Sequence, residues 1–292
     1  MRIPDSQFYA SSQRSIARAR QDMAAAQERA ATGLRVSKPS DDPLAAAQAR
    51  REASRGRKAS DHARTIDFGR VGLRAADAAL DEVSGTLQRA RELALQAANS
   101  TVSSGDRGSI AGEIDSLREL VVSLANTEAA GRYVFGGYRD ESEPFDQSGT
   151  YAGTLEGREV EVSPGVRMPL GVTGERIFGA SSGQDVFAAL QNLSDALRAD
   201  DLDAIRSSVG ELVAADEQVV EARGELGVHM NAFEMAHSLS QRTQQLTQEN
   251  ISELVGADPF QAYSDLASSQ QALQAAVEIA SQLPPPGLLG RG

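Results

Sequence analysis

Apolar residues recur at helical spacing through most of this chain, and the recurrence breaks in only a few places. In residues 11–32, Ile16, Ala19, Met23, Ala26 and Ala30 fall at alternating three- and four-residue steps, a heptad seam. Three of its five members are alanine, so the helix they predict buries little area and needs partner helices to be stable. A second pattern opens at Pro43 and becomes regular at Ile66, continuing through Gly69, Leu73, Ala76, Leu80, Val83, Leu87, Ala90, Ala94 and Ala97. If continuous, residues 66–97 span about 47 Å. Its first part, residues 45–63, is more charged and reads as irregular or packed on another subunit. Ser103 with Asp106 three residues on predicts an N-cap, followed by the stripe Ile110, Ile114, Leu117, Val121 and Leu124. The character then changes. Gly131–Gly137 reads as a short strand ending in a turn, and residues 138–183 carry many of the glycines and prolines, with short alternating runs such as Glu159–Val162.

Helical spacing returns near Gln184. Val186, Leu190, Leu193 and Leu197 predict a short helix, and Ile205, Val209, Leu212, Val219, Leu226, Met230 and Phe233 a longer one that weakens beyond His237. Asp216 and Arg223 share that repeat, which places them at a solvated edge or in a pair. The last helix carries Ala262, Leu266, Ser269, Leu273, Ala276, Ala280 and Leu283 and stops at Pro284–Pro286. The predicted fold is mainly α: an elongated helical bundle and coiled coil built from the N- and C-terminal regions, with a small central β-rich insertion. The seams of the two regions must bury each other, which puts the chain ends together.

The punctuation near the ends is matched. Gly33 can close a helix in the left-handed conformation. Pro39 pushes Lys38 toward extended geometry. Asp42 stands where an N-cap belongs, and Pro43 at the first helical position, where a missing N–H costs nothing. Asp258–Pro259 repeats the pattern. These breaks predict a terminal domain of residues 1–42 plus 258–292, a helical-bundle domain of 43–137 plus 184–257, and a small outer domain of 138–183. Ile16, Met23, Ala30, Leu266, Leu273, Ala276 and Leu283 form the candidate assembly seam, and Gly33, Pro39, Asp42 and Pro43 the link.

Composition narrows the function. Aromatic residues make up only 4% of the 292 and tryptophan is absent, which suits narrow helix seams. Lys and Arg total 29 against 41 Asp and Glu, a net charge of −12 that argues against nucleic acid as a partner. With no cysteine, thiol catalysis, thiolate metal sites and disulfides are excluded. No stretch approaches the roughly 20 apolar residues of a membrane span, and the N-terminus lacks the pattern of a cleavable signal peptide. The three histidines, His62, His229 and His237, form no HExxH arrangement, and there is no nucleophile elbow or phosphate-binding glycine loop. Asp41–Asp42 is explained by capping. No catalytic residue, metal or cofactor is expected.

The runs Gln27–Val36, Lys38–Ala47, Arg89–Asn99, Gly131–Gly137, Ala222–Gly227 and Ser268–Ala275 resemble the flagellin superfamily, and within it the hook-associated protein 3 family. Pro-Ser-Asp-Asp-Pro in the link and Gly-Arg-Tyr-Val-Phe-Gly-Gly favour that family over filament flagellins, which read Asn-Ser-Ala and Asp-Asp-Ala there. The proline-rich tail, 284–292, departs from the family's short apolar ending, and 138–183 carries no resemblance. The resemblance implies a structural protein exported unfolded by the flagellar export apparatus, with an export chaperone, and assembled as a ring of copies. The ring would join the first hook-associated protein on the hook side to flagellin on the filament side. Its terminal helices would form an inner coiled-coil layer ordered only on assembly. Helical seams alone leave two alternatives open, a filament-forming flagellin and a cytoplasmic helical scaffold.

Overall fold

The computed structural model of the chain describes residues 5–179, 181 and 183–282. Among the described residues, seven helices and four short strands follow in order: α1 (Asp5–Thr32), α2 (Pro43–Ala97), α3 (Ser104–Ala125), β1 (Glu128–Ala129), β2 (Arg132–Tyr133), β3 (Glu159–Ser163), β4 (Val166–Pro169), α4 (Gly174–Phe178), α5 (Val186–Arg198), α6 (Leu202–Val255) and α7 (Pro259–Ser281). The fold is mainly α, and its sheets are two antiparallel two-stranded pairs, β1–β2 and β3–β4. Two compact units divide the chain, one of residues 1–57 and 243–292, the other of 58–242. These boundaries fall inside α2 and α6, where the sequence has no punctuation, rather than at the helix breaks near residues 42 and 258.

In the central unit, all ten seam positions from Ile66 to Ala97 are buried. They face an antiparallel stretch of α6, as successive contacts show: Ser84 donates to Asp216, Arg223 pairs with Asp77 at 3.2 Å and Asp81 at 2.7 Å, and Arg70 pairs with Glu234. The two charged residues on the α6 repeat are thus paired across to α2, at the margin of the seam, and not with each other. Gly69 is required by this packing, since a Cβ there would lie 2.5 Å from the Phe233 ring and 2.7 Å from Leu170. The charged stretch 45–63 is regular helix, because α2 runs unbroken from Pro43.

α3 packs on α5. Its N-cap is Ser103, whose side chain accepts from the Asp106 N–H at 3.2 Å. Val186, Leu190, Leu193 and Leu197 are all buried. At the corner joining these helices, Arg107 is 4% exposed. It donates to the carbonyls of Ala97 (2.9 Å) and Asn99 (3.0 Å) and pairs with Asp200. A cation on the Ala97 carbonyl, the last of α2, and on the Asn99 carbonyl in the turn beyond it satisfies groups the helix cannot satisfy itself.

The strand expected over 131–137 shrinks to Arg132–Tyr133. Ala130 (φ 51°) and Gly131 (φ 78°) make a two-residue turn with both residues left-handed, which pairs β1 with β2. Beyond β2 the chain leaves the ladder so that Phe135 can enter the core. There it meets Phe178 edge-on at 5.6 Å, and Phe178 also contacts Phe145 (5.3 Å) and Phe187 (5.6 Å). Phe145, Val162, Val172 and Ile177 belong to the same core as the helices. Residues 138–183 are therefore part of the central unit and not a domain with a core of their own, because the one short hairpin they contain, β3–β4, offers no second layer to bury. Asp140 ties the region together, accepting from Arg132 at 2.7 and 2.8 Å and from Arg158 at 2.6 Å. Burial opposes its ionisation, but the two guanidiniums outweigh burial and hold its carboxyl below the usual range.

Candidate assembly surface

The terminal unit places the predicted seam residues together. α1 packs along α7, and Ile16, Met23 and Ala30 on one helix and Leu266, Leu273 and Ala276 on the other are each half-buried. Leu283 lies outside the described residues. Among the described side chains of these helices, 28 and 23 residues long, only Ala26 (1% exposed) and Ala262 (6%) are fully buried. Among the described residues, the one ion pair between them, Arg29 to Asp265 at 3.5 Å, is exposed and contributes little. Small side chains bring the two helices close but remove little apolar surface from water, at about 0.8 kcal/mol per buried CH₂. A helix pair this thinly packed leaves most of its surface for other helices.

The outer side of α7 carries apolar residues that seam spacing did not select. Phe260 is 89% exposed, and Tyr263, Val277 and Ile279 are also exposed. Single apolar residues off a seam are common on protein surfaces, so the spacing gave no means to separate them. With an apolar seam and apolar residues outside it, α7 is dressed on more than one face for helix contact.

The two breaks in the terminal unit are one joint. Gly33 adopts φ +68° and its N–H closes α1 on the Arg29 carbonyl at 2.9 Å. The Gly33 carbonyl accepts from Ala257 N–H at 2.8 Å, and Arg35 N–H donates to the Val255 carbonyl at 2.8 Å. Leu34 and Gly256 form an isolated antiparallel bridge, and the Arg35 guanidinium reaches the Leu254 carbonyl at 2.8 Å. Beneath them Val36 is buried. The link is therefore fastened to the stretch between α6 and α7. Arg35 and Val36, which fasten it, were not among the candidate link residues; their pairing is long-range and no local motif announces it.

The rest of the link is held by two carboxylates. Pro39 occupies a turn closed by Asp41 N–H on the Lys38 carbonyl at 3.0 Å. Asp41 accepts from the N–H groups of Lys38 (2.9 Å) and Ser37 (3.1 Å). Asp42 caps α2 by accepting from Ala45 N–H at 3.0 Å and pairs with Arg35 at 3.3 Å, with Pro43 in the first turn. These bonds, led by the Lys38 N–H for Asp41 and the Ala45 N–H for Asp42, lower both pKa values below the ordinary 3.8. At the other break, Asp258 caps α7 by accepting from Phe260 N–H at 2.8 Å, with Pro259 at the first position. The surface is thus built to hold helices, and among the described residues no cluster of His, Cys, Asp and Glu has metal-binding form.

Residues 4–140 match the family model of the bacterial flagellin N-terminal helical region. Flagellar hook-associated protein 3 of Escherichia coli (strain K12) is 32% identical over 302 aligned positions, covering 94% of this chain and 94% of that protein. This chain belongs to the flagellar hook-associated protein 3 family. The FlgL crystal structure from Bacillus cereus superposes with a TM-score of 0.58 at 25% identity, over 68% of this chain and 96% of that one. Similarity to flagellins is narrower. Phase 1 flagellin of Salmonella naestved is 32% identical over 114 residues, 39% of this chain and 23% of the flagellin. The hook-associated protein 3 family is a family of structural flagellar proteins, and the flagellin-like helical fold expected from the sequence is present.

Proposed function

We propose that this protein is the subunit of the hook–filament junction, assembled as a ring of copies between the first hook-associated protein and flagellin. The observation that carries this reading is the extent of similarity, which spans 94% of the chain for hook-associated protein 3 and 39% of it for flagellin. The terminal unit supports it physically. Among the described side chains of α1 and α7 only Ala26 and Ala262 are fully buried, while Tyr9, Phe260, Tyr263, Val277 and Ile279 are exposed, as suits helices completed by neighbouring subunits. The protein works by packing and not by catalysis. It reaches the flagellum through the export apparatus, unfolded and accompanied by a chaperone.

Immunogold labelling of isolated flagella tests the reading. The expected result is one band between hook and filament. Label along the filament would assign the chain to the flagellins, and absence from sheared flagella would favour a cytoplasmic scaffold. In a strain lacking the protein, hooks should persist while flagellin is released into the medium.

A further inference from the structure

The charge of this chain is unevenly shared. Lys and Arg number 12 and Asp and Glu 11 in residues 1–57 and 243–292, against 17 and 30 in residues 58–242. The terminal unit is thus near neutral, and the whole excess of acid lies on the central unit. Within the terminal unit, Arg50, Arg51, Arg55 and Arg57 stand exposed on α2, and among the described residues none has an ion pair or hydrogen-bond partner. On the face of Arg51 and Arg55, Leu44 is 66% exposed. In the central unit, Glu217 and Glu221 stand exposed on α6 and have no ion pair among the described residues, near Val220 (53% exposed) and Val228 (66%).

These two stripes match. On α2 the order is Leu44, Gln48, Arg51, Arg55; on α6, read backwards, it is Val228, Gly224, Glu221, Glu217. The steps are four, three and four residues in both, so one antiparallel register sets every pair opposite its complement: leucine on valine, glutamine over glycine, and two arginines on two glutamates. Gly224 has open space where a side chain would stand, leaving room for Gln48. The parallel register also pairs the charges, but sets Leu44 on Gly210 and Val228 on His62, losing the apolar contact. We infer that residues 44–55 of one copy dock antiparallel on residues 217–228 of a second copy. Guanidinium groups suit this role because their fork matches a carboxylate. About a dozen residues on each side is less than a standard interface, so the contact supplements the larger assembly and does not hold a dimer alone.

The inference rests on the proposed assembly of many copies, and disulfide trapping tests it separately, because the chain has no cysteine of its own. Gln48→Cys and Gly224→Cys are placed together, and flagella carrying the variant are oxidised with diamide. Covalent oligomers of the chain are expected, whereas Gln48→Cys with Ala214→Cys, which reports the parallel register, should yield at least tenfold less. Arg51→Glu with Arg55→Glu should cut the 48–224 product at least tenfold, and Glu217→Arg with Glu221→Arg in the same chain should restore it. The inference is overturned if junction-localised protein forms no 48–224 product, if the 48–214 pair links as well, or if the thiol introduced by Gln48→Cys links to another protein. Immunogold label away from the junction, with 48–224 product formed, would overturn the junction reading and leave the docking intact.

Discussion

Replacement of Gly33 by alanine isolates the joint at the end of α1. A Cβ at this position meets nothing within 4 Å, so no clash contributes. What changes is the backbone, held at φ +68°. A non-glycine residue in the left-handed region costs about 1–2 kcal/mol. Alanine also narrows the unfolded ensemble, which offsets about 0.4–1 kcal/mol of that. The net expectation is about 1 kcal/mol, or about fivefold in an equilibrium constant. The loss falls on the structure that fixes Gly33, including its bonds to Arg29 and Ala257. If the terminal unit is completed on assembly, the loss appears as poorer incorporation. Cells producing equal amounts of wild-type and variant chain would be sheared, and the ratio in purified junctions read by mass spectrometry of the peptide carrying residue 33. Gly33→Ala should be under-represented about fivefold. Gly33→Asn should do better than alanine, since asparagine tolerates this conformation. Equal incorporation of the alanine variant, or asparagine faring worse than alanine, would refute the reasoning.

Leu273→Asp sets a charge in the half-buried α1–α7 seam and should block incorporation while leaving the main melting transition within about 1 °C; normal motility with this variant alone would contradict it. Arg107→Met strands the Ala97 and Asn99 carbonyls and leaves Asp200 unpaired, at a cost of about 2–4 kcal/mol. For a unit of this size the melting temperature should fall roughly 5–15 °C by circular dichroism. Asp41 and Asp42 have lowered pKa values in the fold, so their contribution is present above the unfolded value near 3.8 and is lost as pH falls through the folded value. Junctions should therefore be indifferent to pH between 5 and 7 in this respect, and Asp41→Asn should weaken the pH dependence of their dissociation only in the acid range; an equal effect at pH 7 and pH 3 would rule this out.

Much of this protein follows from local rules. The ten-member seam of α2 is buried at every position because heptad spacing and burial on one helix face are the same geometric fact. Gly33, Asp42–Pro43 and Asp258–Pro259 mark real helix ends, since capping depends on a few neighbouring residues. Other features depended on residues far apart. The two helix ends meet in one hydrogen-bonded joint because backbone groups left open near Gly33 find partners near Val255, more than 200 residues away. The apparent outer domain joins the central core because Phe145 and Phe178 turn inward onto Phe187. The unpaired arginines of α2 differ from paired ones only in what lies across from them, which spacing along one helix cannot reveal. Periodicity specifies which face of an element is apolar. Only the tertiary structure decides which face meets it, and which faces remain open for a second copy.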